Sequence, residues 1–251
     1  MAYRPDKDLE FFKDLKSKDL EQLVEILIYD KDGEKRYTEE LSESENYKKY
    51  YPEHIKYWKD IIEELQRFGG NSFANMLRFG EGVLYKEILI DVCDKLKVNY
   101  NKNSAVEKIE TNLLMKILED ALEKMSDDER KELAKSIGLK NTQNFSSQAM
   151  TGIFQAIFRA GGFKSYQLTL IIVNAILKAL IGKGLSLGAN AALTRTMAIL
   201  TGPIGWVITG LWTAIDIAGP AYRVTIPAVI EIAALRQKYL YADEVEDINF
   251  S

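Results

Sequence analysis

The sequence has a single cysteine and a single histidine in 251 residues. One cysteine excludes an intramolecular disulfide, and one histidine beside it excludes a Cys/His set for structural zinc. No Walker loop, HExxH, GxSxG or CxxC occurs anywhere in the chain, so the common phosphate, zinc-protease, serine-hydrolase and thiol-redox signatures are missing. Proline is scarce, with five residues, and net charge is only −4, which gives no global attraction for nucleic acid. Against these lacks stand 47% hydrophobic residues over a length that suffices for a sizeable core. Met1 to Lys16 contains no uncharged apolar stretch of seven residues, so no signal peptide is expected and the reading places the chain in the cytoplasm.

Charge is distributed unevenly along the chain. Residues 1–150 hold 25 basic and 31 acidic side chains, whereas residues 151–242 hold eight basic and two acidic, the acids being Asp216 and Glu231. Ten of the sixteen glycines also fall after residue 150. The second part is therefore glycine-rich, apolar and weakly basic, and complements the acidic first part in sign. Residues 243–251 make a short acidic tail of the kind that frays.

Helical spacing dominates the first part. Ser17 is positioned to cap a helix whose stripe is Leu20, Leu23, Val24, Leu27 and Ile28, ending at Asp30-Lys31-Asp32-Gly33. Pro52 suits the first position of a helix bearing Ile55, Trp58, Ile61, Ile62, Leu65 and Phe68, which Gly69-Gly70 stops. After Gly82, the residues Tyr85, Ile88, Leu89, Val92, Cys93 and Leu96 recur on one face. Ser104 with Glu107 and Ser126 with Glu129 both fit the capping box, framing a helix from about residue 105 to about residue 125. No alternating strand pattern competes, and the expected class is all-α.

From Ser146 onward the segments are apolar on nearly every side. Gly161-Gly162 precedes a run from Tyr166 to Ile181 whose single charge is Lys178. Between Arg195 and Asp216 lie twenty uncharged residues, enough for a helix to cross a bilayer. Gly202-Pro203 interrupts that run, and Gly184, Gly188 and Ala192 supply small residues at every fourth position for close helix contact. A packed helical hairpin results, with two readings. As a soluble core it would be wrapped by the acidic helices, with Arg195, Asp216 and Arg223 at the surface or paired inside. In a membrane those charges would pair or reach the interface, where Trp206 and Trp212 also fit.

Other candidates carry less. Arg67, Arg78 and Lys86 flank glycine loops at residues 69–70 and 80–82, and together make the one anion site the sequence suggests. His54, beside Glu53, reads as a surface or capping histidine rather than a catalytic base. Cys93 reads as a core thiol. Glu87, Asp91 and Asp94 have metal-like spacing but lack the Glu-x-x-His partners of a di-iron bundle. No metal or cofactor is expected.

Three blocks carry a family resemblance. Leu65-Gln66-Arg67-Phe68-Gly69-Gly70-Asn71-Ser72, Tyr85 to Lys97, and Gly219 to Val229 resemble the signature blocks of the bacterial YaaW-like family, often labelled ubiquinol-cytochrome c chaperone family proteins. Asp8-Leu9-Glu10-Phe11 resembles its short N-terminal domain. Where that family usually has glycine after the arginine of the middle loop, Phe79 stands here, which weakens a phosphate-loop reading. The resemblance implies a role in assembling respiratory complexes and brings no catalytic residues.

The expected organisation is a short N-terminal helical domain over 1–45, an acidic helical domain over 46–145, an apolar glycine-rich helical region over 146–242 and an acidic tail over 243–251. The leading functional expectation is a non-enzymatic protein that associates with or inserts into the inner membrane through residues 165–235. The alternative is a chaperone-like assembly factor holding a client protein. Membrane lipid and a client protein are thus the two partner classes, nucleic acid is not one, and oligomerisation is left open.

Overall fold

The structure, a computed structural model, describes residues 3–70, 82–139, 144–181, 199, 202–207, 210 and 221–241. Its long elements are α1 (Ser17–Ile28), α2 (Glu45–Tyr50), α3 (Trp58–Gly70), α4 (Tyr85–Lys95), α5 (Val106–Lys124), α6 (Asp127–Ser136), α7 (Ser147–Ala160), α8 (Gly162–Ile181) and α9 (Tyr222–Leu240). Short 3-10 turns occur at Glu10–Asp14, Leu41–Glu43 and His54–Tyr57, and residues 202–207 are helical. No strand occurs among the described residues, and the fold is all-α.

The periodic stripes are the buried faces. Leu20, Leu23, Val24, Leu27 and Ile28 of α1 are all buried, as are Tyr85, Ile88, Leu89, Val92 and Cys93 of α4. Each stripe follows the 3.6-residue period that keeps apolar groups out of water on one side. α9 departs from that pattern. It is buried without a break from Val224 to Arg236, because α8, α1, α4, α5 and α3 surround it. Pro227 lies inside this helix, where it removes one backbone donor. A single cluster of buried side chains runs from Leu9 to Leu235 through the three expected helical regions, 1–45, 46–145 and 146–242.

Several local expectations are corrected. Ser17 does not cap α1: its hydroxyl accepts the Ile55 amide at 3.1 Å, and Asp19 instead receives the Lys16 amide at 3.1 Å. A carboxylate on the first turn also suits the helix dipole. Pro52 follows a cis peptide and precedes the His54–Tyr57 turn, so α3 begins only at Trp58. Ser104 is not a cap either. The residue before α5 is Ala105, which makes no side-chain cap, and the Ser104 carbonyl instead accepts Lys86 Nζ at 2.8 Å. The box at Ser126 forms as expected: Glu129 Oε2 takes the Ser126 amide at 2.7 Å and Ser126 Oγ takes the Glu129 amide at 3.3 Å.

The junction of α7 and α8 needs its two glycines. Gly161 and Gly162 have φ of 69° and 70°, a left-handed conformation that costs a side-chain-bearing residue energy. That junction turns the chain so that α8 can lie along α9.

Candidate functional site

The densest polar constellation is buried where α9 meets α4, α5 and the N-terminal segment. Arg236, late on α9, donates from Nε to both oxygens of Glu110 on α5, at 3.2 and 3.0 Å. The Tyr85 hydroxyl, from the first turn of α4, donates to Glu110 Oε1 at 2.5 Å. Arg236 Nη2 reaches back to the Asp8 carbonyl at 2.7 Å, and Glu107 lies 3.9 Å from Nη1. The guanidinium also lies over the rings of Phe11 and Tyr85, 4.6 and 5.6 Å from their centroids. Asp6 completes the arrangement by accepting the Tyr85 amide at 2.6 Å, which satisfies an orphan donor at the start of α4.

Electrostatics explain why this group stays together. Burial pushes the Glu110 carboxyl up, and the Arg236 cation and the Tyr85 hydroxyl oppose that shift. For Arg236 burial works against the charge, but Glu110, Tyr85 and Glu107 outweigh it and hold the pKa up. The Tyr85 hydroxyl is raised well above its ordinary value by burial and then by Glu110, so it acts here as a donor. A buried ion pair is tolerable only with such supplementary hydrogen bonds. Every member already spends its donors or acceptors on another, so the cluster ties four chain segments together.

A second polar junction lies on another side of α9. Lys238 Nζ donates to Asp19 Oδ1 at 2.5 Å, linking the end of α9 to the start of α1. Glu231 is 3% exposed and its Oε2 has no hydrogen-bond partner. Burial pushes its carboxyl up to about 8, with Lys238 opposing and Asp19 adding to the shift. A third lies at the α3 end. Gln66, wholly buried, accepts the Arg4 amide at 3.0 Å and donates to the Arg4 carbonyl at 2.8 Å, while Arg4 Nη1 reaches the Gly82 carbonyl at 3.0 Å.

The residues singled out in the sequence are placed as follows. Arg67 is bound by both oxygens of Glu64, at 2.6 and 2.7 Å, and by Glu40. Lys86 is held by the Ser104 carbonyl. Two of the three cations of the suggested anion site thus carry intramolecular acceptors, and Arg78 lies outside the described residues. His54 is not at the surface but buried, its Nδ1 against the Tyr57 hydroxyl, and burial lowers its pKa. The cause is the 3-10 turn, which faces the ring inward among Tyr51 and Tyr57. Cys93 is a buried thiol, pushed up to about 12 by desolvation. No group of three or more metal-ligating side chains occurs among the described residues.

In the apolar C-terminal region, Gly184, Gly188, Arg195, Trp212 and Asp216 lie outside the described residues. Gly202 is exposed, Pro203 is buried, and Ile204 and Val207 pack inward, while Trp206 is 56% exposed. Arg223 is exposed at the start of α9. Within the expected span 165–235, α8 is long and apolar enough to cross a membrane, but 67% of that stretch is buried inside the protein.

Sequence reasoning missed Glu110, Arg236 and Glu231 as a set. The available signal was a charge on an otherwise apolar face: Glu110 stands among Ile109, Leu113 and Leu114, and Glu231 is the only acid of α9.

Comparison with known proteins places the chain. A family model described as "Ubiquinol-cytochrome C chaperone" matches residues 53–230, and one described as "Domain of unknown function (DUF3944)" matches residues 3–37. A UPF0174 protein of Helicobacter pylori strain J99 is 57% identical over 244 residues, covering 97% of this chain and 96% of the relative. A second UPF0174 protein of that strain is 48% identical over 204 residues, 80% of this chain and 97% of the relative. The UPF0174 protein YaaW of Escherichia coli K12 is 33% identical over 241 residues, 94% of this chain and 95% of the relative. No solved structure matches. With matches of this length across both modules, and with the YaaW-type blocks at residues 65–72, 85–97 and 219–229, the chain belongs to the UPF0174 (YaaW) family, within the ubiquinol-cytochrome C chaperone group.

Proposed function

We propose that the protein is a non-enzymatic, chaperone-like binding protein of the cytoplasm that holds an apolar segment of a client protein. The observation that carries this reading is the surface of α7. Only Met150 and Phe154 of that amphipathic helix are buried, while Ile153, Ile157 and Phe158 remain partly exposed, beside the partly exposed Phe163 of α8. A row of half-buried aliphatic and aromatic groups suits a partner's apolar side chains. The chaperone family whose model matches residues 53–230 supports the same reading. So do the buried charges, since Glu110, Arg236, Glu64 and Arg67 are committed to one another.

A photocrosslinking side chain at position 157 tests it, with position 131, exposed on α6, as control. One defined client, crosslinked at 157 and lost in the Ile153→Asp, Phe158→Asp double variant, is the expected result. Equal labelling at both positions with no stoichiometric product would refute it.

A second reading, contact with the inner-membrane surface, is favoured by Trp206, which projects from the 202–207 helix beside buried Ile204 and Val207. Tryptophan at a helix surface suits the lipid headgroup zone. Flotation of the purified protein with liposomes, retained in high salt and lost in Trp206→Ser, is its expected outcome.

A further inference from the structure

Glu231 has no packing explanation. It sits within the stretch of α9 that is buried on every side, and its Oε2 is sealed from water without a partner. An ionised carboxylate in that position leaves this oxygen buried and unpaired, a situation native structures avoid.

Its charged surroundings come from three helices. On α9 itself the cation that acts on its carboxyl is Lys238, seven residues on. Two turns of about 3.6 residues bring that side chain to the same side of the helix, and helical side chains lean toward the N-terminus, so its stem leans toward Glu231. From α1 comes Asp19, whose Oδ1 holds Lys238 at 2.5 Å and whose Oδ2 holds the Lys16 amide at 3.1 Å. From α8 comes Tyr166, buried, whose hydroxyl is raised by burial and then by Asp19. On α4 and α5, Tyr85, Glu107 and Glu110 are engaged with Arg236, five residues along α9 and so about 140° around it. On α3 the charges Glu64 and Arg67 hold each other.

We propose that Glu231 is a proton-operated latch for the N-terminal module. Protonated, it lets α9 pack against α1 and α8 while Lys238 stays on Asp19. When the proton leaves to solvent, the new anion draws Lys238 back along α9. The tie between Asp19 and α9 is then lost, and α1 loosens from its place. The lift that burial gives the carboxyl, to about 8, sets the transition at the alkaline edge of the neutral range. This device is independent of what the protein binds.

Hydrogen exchange of the full chain from about pH 6 to about pH 9, corrected for intrinsic rates, tests the latch in wild type, Glu231→Gln and Lys238→Met. In wild type, protection of the α1 amides should fall by about tenfold per pH unit at most up to about pH 8 and level off above it, because opening releases a proton only while the closed state still holds it. Glu231→Gln should keep full protection across the range, and Lys238→Met should show weakened α1 protection already at the acid end. Equal loss in wild type and Glu231→Gln overturns the proposal, as does a wild type that stays flat. Infrared difference spectra supply the second readout. A buried carboxylic-acid band at the acid end should be present in wild type and absent from Glu231→Gln, and a wild type without that band overturns the latch.

Discussion

Arg236 and Glu110 meet across 126 residues of chain, with Nε of the arginine within 3.2 Å of both carboxylate oxygens. The pair joins α9 to α5 and, through Tyr85 and the Asp8 carbonyl, draws in α4 and the N-terminal segment. It is expensive to half-remove and cheap to replace whole. Glu110→Ala alone should cost about 3–5 kcal/mol in urea unfolding, because a buried cation is left unpaired. The double variant Glu110→Leu, Arg236→Met should cost less than either single change. If the double variant loses as much as the sum of the singles, the pair is not acting as a unit.

Glu231 sets a pH dependence whose sign runs against the ordinary behaviour of a carboxyl. Its folded pKa, about 8, lies above the unfolded value of 4.5, so the folded state binds its proton more tightly. Its contribution is fully present below about pH 4.5 and is lost as pH rises through about 8. Glu231→Gln should therefore leave stability nearly unchanged below about pH 4.5 and raise it by up to about 5 kcal/mol at about pH 9, at about 1.4 kcal/mol for each pH unit between the two values. Urea midpoints of both proteins at the two pH values decide it, and parallel pH profiles would count against the assignment.

Gly69 on α3 faces Ile88 on α4. A Cβ added at Gly69 would stand 2.6 Å from Ile88 Cγ1 and 2.7 Å from Cδ1. Gly69→Ala should thus lose about 1–3 kcal/mol through overpacking. Combining it with Ile88→Ala removes the obstruction, so the two changes together should cost clearly less than their sum in a double-mutant cycle.

The two capping-box candidates separate in the same way. Ser126→Ala removes a formed cap and should cost about 1 kcal/mol. Ser104→Ala should be nearly neutral, because the bonds that engage Ser104 are backbone ones, its carbonyl accepting Lys86 and its amide donating to the Asn101 carbonyl. Thermal unfolding of the two variants side by side distinguishes them.

Cys93 should resist modification. The thiol is buried and pushed up to about 12 by desolvation, while the reactive species is the thiolate. A thiol-specific reagent at mildly alkaline pH should label it only after denaturant is added. Rapid labelling of the native protein would show that the α4 core opens readily.

Helix content was legible from the chain because it depends on local spacing. The stripe from Leu20 to Ile28, the stripe from Tyr85 to Cys93 and the box at Ser126 all rest on interactions between residues three or four positions apart. A family resemblance was legible too, since blocks such as Leu65 to Ser72 are contiguous in sequence. The polar junctions were not. Whether Ser17 caps a helix or receives the Ile55 amide, whether His54 lies outside or against Tyr57, and whether Glu231 holds a proton are decided by neighbours that folding brings up. The sequence by itself determined that this chain is a set of amphipathic helices feeding an apolar C-terminal region. Only the tertiary structure decided that α9 is enclosed by five other helices, and with that which of its charges are paired, because burial and Coulomb interaction depend on distances through space and not along the chain.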